Sequence, residues 1–290
     1  MKKMSTEKLY KIFVYVALIS LAISIIVPVA WVFVSSLKTN AEFQGSPWTL
    51  PMSFYFQNFI EAFEKAHMAE YLLNSVIVTA LGLILLVIIA LPASYVLARF
   101  DFAGKKIINT LFMAGLFINV NYIVVPIFLM LLDCADVIYH LFGHPFFLVN
   151  IFVLAVVYAS TALPFTIYLL SGYFKTLPKA YEEAASIDGC GYFKTLIKVM
   201  APKAKPSIIT FILFNFLAFW NEYIIALTLM PGASKTLPVG LVTLSKGQMA
   251  AANYGQLYAG LVIVMLPTLI LYILVQKKLT QGMTLGGLKD

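Results

Sequence analysis

Long runs without a charged residue alternate along the chain with short segments that hold nearly all the charge. Residues Ile12–Leu37 form 26 uncharged positions, Tyr71–Ala98 form 28, and Ile107–Leu132 form 26. A fourth run extends from Val137 to Phe174, with Phe146–Tyr173 as its helical part. A fifth, Ser207–Met230, is broken only by Glu222, and a sixth spans Tyr254–Val275. About 20 apolar residues cross a bilayer core as a helix. The pattern therefore predicts an all-α polytopic membrane protein with about six transmembrane helices, over 12–37, 71–98, 107–132, 146–173, 207–230 and 254–275. Between them it predicts an outer segment over 38–70 with a helix near Asn58–Ala66, a short polar turn over 133–145, and a third outer segment over 231–253. A loop at 175–206 and a tail at 276–290 complete a single transmembrane domain. The first run follows Lys2, Lys3, Lys8 and Lys11, as in a signal peptide. It far exceeds the roughly 7–15 residues of a signal core and is read as a retained span.

Composition agrees: 61% of the 290 residues are hydrophobic, 11% are charged, and mean hydropathy is +0.91. Soluble domains carry about a quarter charged residues, so a soluble globule and a disordered chain are both excluded. The net charge of +7 changes meaning once its carriers are located. Nineteen of the twenty basic residues are Lys and one is Arg99, which argues against nucleic-acid readout. Sixteen fall at the N-terminus, at 99–106, in the 174–206 loop and in the tail. Four, Lys38, Lys65, Lys235 and Lys246, fall on the other side. By the positive-inside bias both termini are predicted to be cytoplasmic. Cys134 and Cys190 then lie on opposite sides and cannot pair.

The 174–206 loop is the most informative stretch. Pro178 suits a first helical turn, and Glu182 and Glu183 suit the positive end of a helix dipole. Ala180, Ala184 and Ala185 leave one face with little bulk, and Gly189 or Gly191 can close the helix in the left-handed conformation. A second amphipathic helix, Phe193–Met200, is predicted to stop at Pro202. The residues alone leave open whether this hairpin docks on another protein or lies solvated at the membrane surface.

The segment Glu183-Ala-Ala-Ser-Ile-Asp-Gly189, with Val199-Met-Ala-Pro202 ten residues on, resembles the EAA signature of ABC importer permeases. Glu183, Ala184, Ala185, Gly189 and Pro202 match it, whereas Val199 and Ala201 replace its Ile and Leu. Asp188-Gly189, Trp220-Asn-Glu-Tyr223 and the tail Gly282–Lys289 resemble the sugar-specific, maltose-type branch. The resemblance implies a coupling helix carrying Glu182, Glu183, Ala184, Ala185, Asp188 and Gly189, followed by Pro202, that meets an ATP-hydrolysing subunit dimer. It further implies a second homologous permease, an extracytoplasmic solute-binding protein that delivers a sugar, and a 231–253 segment that enters the binding protein's cleft.

Reactive chemistry is sparse. No G-x-x-x-x-G-K-[ST] phosphate loop, H-E-x-x-H, G-x-S-x-G or Cys-x-x-Cys occurs. The chain is expected to be non-catalytic and without a cofactor, with ATP and Mg bound by the partner ATPase. Asp133, Asp136, His140 and His144 have helical spacing, but Gly143 and Pro145 break the helix that would align them; a polar turn, not a metal site, is expected. Glu222 lies inside a span, where an ionisable group is expensive and functional by default. It is read either as a path or gate residue or as a packing hydrogen bond to Asn221 or Asn215. A sugar path wants hydroxyl-matching groups and aromatic faces. Candidates are Asn119, Asn121 and Tyr122, then Ser160 and Thr161, then Asn215, Trp220, Asn221 and Glu222.

Overall fold

In a computed structural model the protein is described over residues 6–64, 67–142, 150–230, 232, 234–251 and 253–287. Among these residues there is no strand. The helices are α1 (Thr6–Ser35), α2 (Asn40–Gly45), α3 (Gln57–Glu64), α4 (Met68–Arg99), α5 (Lys105–Gly115), α6 (Val120–Phe142) and α7 (Ile151–Thr176). They continue as α8 (Ala180–Ile187), α9 (Tyr192–Thr195), a π-helical turn at Leu196–Met200, α10 (Ala201–Lys203), α11 (Lys205–Trp220), α12 (Ile224–Leu229), α13 (Leu237–Ala251) and α14 (Tyr254–Gly287). Five are long and apolar enough to cross a membrane: α1, α4, α6, α7 and α14. Lys205–Trp220 is a shorter apolar helix. Each of the five carries an internal proline, at Pro28, Pro92, Pro126, Pro164 and Pro267.

Four boundaries differ from the hydropathy pattern. The third span is not one helix over 107–132: it breaks at Leu116–Asn119, where Asn119 begins α6 by accepting the Asn121 N–H on its side chain at 3.0 Å. The expected turn at 133–145 is helical through Phe142, so Asp133, Asp136 and His140 lie on α6; His144 lies outside the described residues. The fifth span is two helices separated by Asn221–Tyr223. The sixth runs on through Gly287, absorbing most of the tail. Charge-free length fixes where apolar residues are but is blind to an uncharged backbone break.

The chain divides into two compact units. One comprises Met1–Met68 with Leu241–Leu266, the other Ala69–Gly240 with Pro267–Asp290. In the first, α1 exposes apolar side chains from Leu9 to Val27, while the segment after it is knotted together by polar contacts. Lys38 is fully buried; its Nζ donates to the Pro47 carbonyl at 2.7 Å and sits 5.0 Å and 5.3 Å from the Trp31 and Phe43 rings. Two ring faces and a carbonyl make a desolvated ammonium tolerable. Asn58, on the expected outer helix, donates to Ser36 O and Lys38 O.

In the second unit α4, α7 and α11 share the core, with Leu86, Ala90, Leu154, Leu170, Phe174 and Phe211 buried in one cluster. The start of α13 is pinned to the first turns of α4. The Ser75 hydroxyl accepts the Leu237 N–H at 2.7 Å, and Asn74 donates to Lys235 O at 3.1 Å. A Cβ on Gly240 would run into the Tyr71 ring, so only glycine fits this approach.

Candidate functional site: the α7–α9 hairpin and the broken span

The sequence Ala180-Tyr-Glu-Glu-Ala-Ala-Ser-Ile187 forms α8 with two carboxylates in its first turn. Pro178 lies just ahead of the helix rather than within its first turn; its carbonyl accepts the Tyr181 N–H at 3.4 Å. The helix ends on Gly189, with φ +72. Cys190 N–H donates to Ala185 O at 2.9 Å and Gly189 N–H to Ser186 O at 3.0 Å, the paired bonds of a Schellman stop. Gly191, with φ −71, is ordinary backbone. The second expected helix is not stopped by Pro202. Helical turns pass through α9, the π turn and α10 into α11, and Ala201 N–H reaches back to Leu196 O. A proline ring clashes with the carbonyl four residues before it. The wider π turn immediately ahead makes room for it.

Helical periodicity splits α8 into two faces. Ala185 is buried at 4% exposure and Glu182 is directed to the protein's own interior, 3.2 Å from Arg99 Nε. Glu183, Ala184, Ile187 and Asp188 are exposed, Ile187 to 87%. Tyr192 and Phe193, at the start of α9, are exposed at 78% and 73%. The small-residue face expected from the sequence is thus divided: Ala185 packs inward, while Ala184 presents outward beside Glu183.

The broken fifth span has its own chemistry. The Glu222 carboxylate accepts the Ile225 and Ala226 N–H groups at 2.9 Å and 3.0 Å and the Tyr158 hydroxyl at 3.1 Å. It therefore caps the N-terminus of α12, where backbone donors have no intrahelical partner. The expected packing partners, Asn221 and Asn215, are not the ones used. Asn221 is exposed and donates to Leu217 O at 2.8 Å; Asn215 is buried and donates to Thr166 Oγ1 at 3.1 Å. Trp220 is buried and stacks on Phe216, ring centres 5.6 Å apart, so it offers no open face.

Asn121 and Tyr122 are exposed at the start of α6 beside Asn119. Ser160 and Thr161 donate to carbonyls of their own helix. They line a cavity of about 250 Å³ with Gly115, Ile118, Val120 and Pro164. The structure thus gathers Ile118 of the break and Ser160–Thr161 around one small cavity, leaves Asn119, Asn121 and Tyr122 outside its lining, and places Glu222 elsewhere, as a cap. Sequence reasoning missed Tyr158 and Arg99. A lone arginine at a span end was the available signal for Arg99; nothing in the chain announces the Tyr158 pairing across 64 positions.

Five long apolar helices, with a glycine-stopped helix between the fourth of them and the shorter apolar α11, define a polytopic membrane component. Residues 90–284 match the model of the binding-protein-dependent transport system inner membrane component family, and the chain belongs to that family. It is 34% identical to the diacetylchitobiose uptake system permease protein NgcG of Streptomyces coelicolor, over 97% of this chain and 90% of that one. It is 30% identical to the trehalose/maltose transport system permease protein MalG of Thermococcus litoralis, over 99% of each. The fold is that of a chain from a bacterial ABC transporter involved in import of the acidic polysaccharide alginate. The TM-score is 0.78 at 23% identity, covering 96% of this chain and 99% of that one.

Proposed function

We propose that this protein is a non-catalytic permease subunit of an ATP-binding-cassette importer for a di- or oligosaccharide. It forms the membrane path with a second homologous permease. An extracytoplasmic binding protein delivers the sugar, and a dimer of ATP-hydrolysing subunits, holding ATP and Mg, works on α8 from the cytoplasm. Both termini are cytoplasmic, as the distribution of basic residues supports. The observation that carries this reading is the two-faced α8. It is fixed to its own chain through Glu182 and Ala185, yet presents Glu183, Ala184 and Ile187 to solvent. A rigid, small-residue helix with an exposed aliphatic tip is a shape for docking into a groove. Sugar as cargo is supported by the relatives that carry diacetylchitobiose and trehalose/maltose in their names. The cavity at Ile118, Ser160 and Thr161, with the exposed Asn119, Asn121 and Tyr122 next to it in the chain, is where this chain meets the cargo, and alternating access exposes it to each side in turn.

Deletion of the gene, followed by uptake of labelled diacetylchitobiose, maltose, trehalose and an amino acid, tests the assignment. Loss of uptake of one saccharide, restored by the intact gene, is the expected result. Unchanged saccharide uptake with loss of amino-acid uptake would replace sugar with another cargo.

A further inference from the structure

The single arginine of the chain ties three elements to one another. Arg99 is the last residue of α4. Its Nη2 donates to the carbonyl of Leu177, the residue that closes α7, at 2.7 Å. Its Nε lies 3.2 Å from Glu182 Oε1 on α8, with the two side chains only 7% and 22% exposed. Neither Arg99 Nε nor Glu182 Oε1 has a hydrogen bond of good geometry to any group, so the contact is charge against charge. Tyr95, one turn earlier on α4, lines the same cavity as Arg99 and Glu182. Its ring meets those of Phe100 and Phe174 edge-on at 5.4 Å and 5.5 Å, and Phe100 in turn meets Tyr192 at 5.4 Å. The pair thus lies in a cavity lined by Tyr95, Phe100 and Tyr192, and the low exposure of both side chains limits the screening that weakens surface ion pairs.

We infer that the Arg99–Glu182 ion pair is the joint that makes α8 move together with the ends of α4 and α7, so that Arg99 is a positioning residue for energy coupling. The inference rests on the proposed ATPase contact of α8. The exposed residues Glu183, Ala184 and Ile187 receive the push, and Glu182, one position away and on the opposite face, passes it on. A planar guanidinium does this because it bonds a carbonyl and faces a carboxylate at once; a lysine ammonium, a point charge on a flexible stem, holds one or the other. Without the pair, α8 keeps its Schellman stop and docking face but slides against α4, and ATP is spent without moving the permease.

The test uses the complete transporter, both permeases, the ATPase dimer and the binding protein, reconstituted in liposomes, and reads ATP hydrolysed per sugar accumulated. Arg99→Gln is expected to leave the ATPase bound but to raise that ratio by about 10-fold, within the roughly 5–150-fold span of typical coupling between sites. Glu182→Gln, which keeps shape and polarity, and Arg99→Lys, which keeps charge, are expected to raise it by about 3-fold each. They decide the matter if Arg99→Gln fails to assemble. Wild-type ratios in both milder variants overturn the inference. So does failure of all three to retain the ATPase, which makes the pair an assembly contact. A wild-type protein that binds no ATPase would instead refute the functional reading on which the joint rests.

Discussion

Two glutamates forty residues apart answer the same problem, a carboxylate in an apolar protein, in opposite ways. Glu182 faces a cation from a different element, across a contact without directional hydrogen bonds. Glu222 faces no cation among its described contacts; it takes two backbone N–H groups of the helix it begins and one phenol. The first arrangement links elements, whereas the second repairs one. A helix broken inside a span leaves N–H groups that lipid cannot satisfy, and each costs several kcal/mol if orphaned. Glu222 supplies what the missing turn of helix would have supplied. An ionisable residue in a span is therefore accounted for by the break beside it before any solute is invoked.

The sharpest way to break this contrast is Glu222→Ala. It strips three bonds at once and leaves two backbone donors without an acceptor, for an expected loss of about 3 kcal/mol in detergent unfolding. A loss under about 1 kcal/mol would mean that the cap is dispensable and the charge serves something else. Glu222→Gln keeps one acceptor oxygen and the side-chain shape, and should cost about 1–2 kcal/mol. It should lower sugar uptake while leaving the complex assembled; wild-type uptake would leave the residue a structural cap alone.

On the α8 side, Gly189→Ala places a Cβ at φ +72 with nothing within 4 Å to clash. Only the conformational cost of about 1–2 kcal/mol remains, read as reduced ATPase co-purification rather than global unfolding. Gly189→Asp adds charge to the proposed docking face and should abolish ATPase stimulation. Tyr158→Phe removes one donor from Glu222 and should cost about 1 kcal/mol.

Glu42, in the outer segment, provides the smallest and most specific control. It accepts the Thr39 and Met52 N–H groups at 2.7 Å and 2.8 Å, a carboxylate on backbone donors like Glu222 but outside the spans. The backbone bond from Met52, then that from Thr39, holds its carboxyl below the ordinary 4.5. A folded-state value below the unfolded one adds stability that is complete above about pH 4.5 and drains away as pH falls through the lowered value. The amide-exchange protection factor at Met52, the observed rate set against the intrinsic rate at each pH, should therefore fall on acidification, and Glu42→Gln should flatten that response.

The α8 stop was legible in the chain because each signal is local: two early glutamates, alanines at helical spacing, and a glycine where a left-handed residue is required. The breaks at Leu116–Asn119 and Asn221–Tyr223 were not, because an uncharged break looks like any other apolar stretch. Pro202 misled for the converse reason, since a proline that ends an α-helix is accommodated when a π turn precedes it.

By itself the sequence determined membrane residence, the helical class and the glycine-stopped helix α8, all properties of short windows whose physics is the cost of burying charge and backbone polarity. The tertiary structure alone decided which partner each buried group found. Arg99 meets Glu182 across 83 positions and Tyr158 meets Glu222 across 64. Such pairs follow from how helices pack and from the low dielectric between them. No spacing along the chain encodes that.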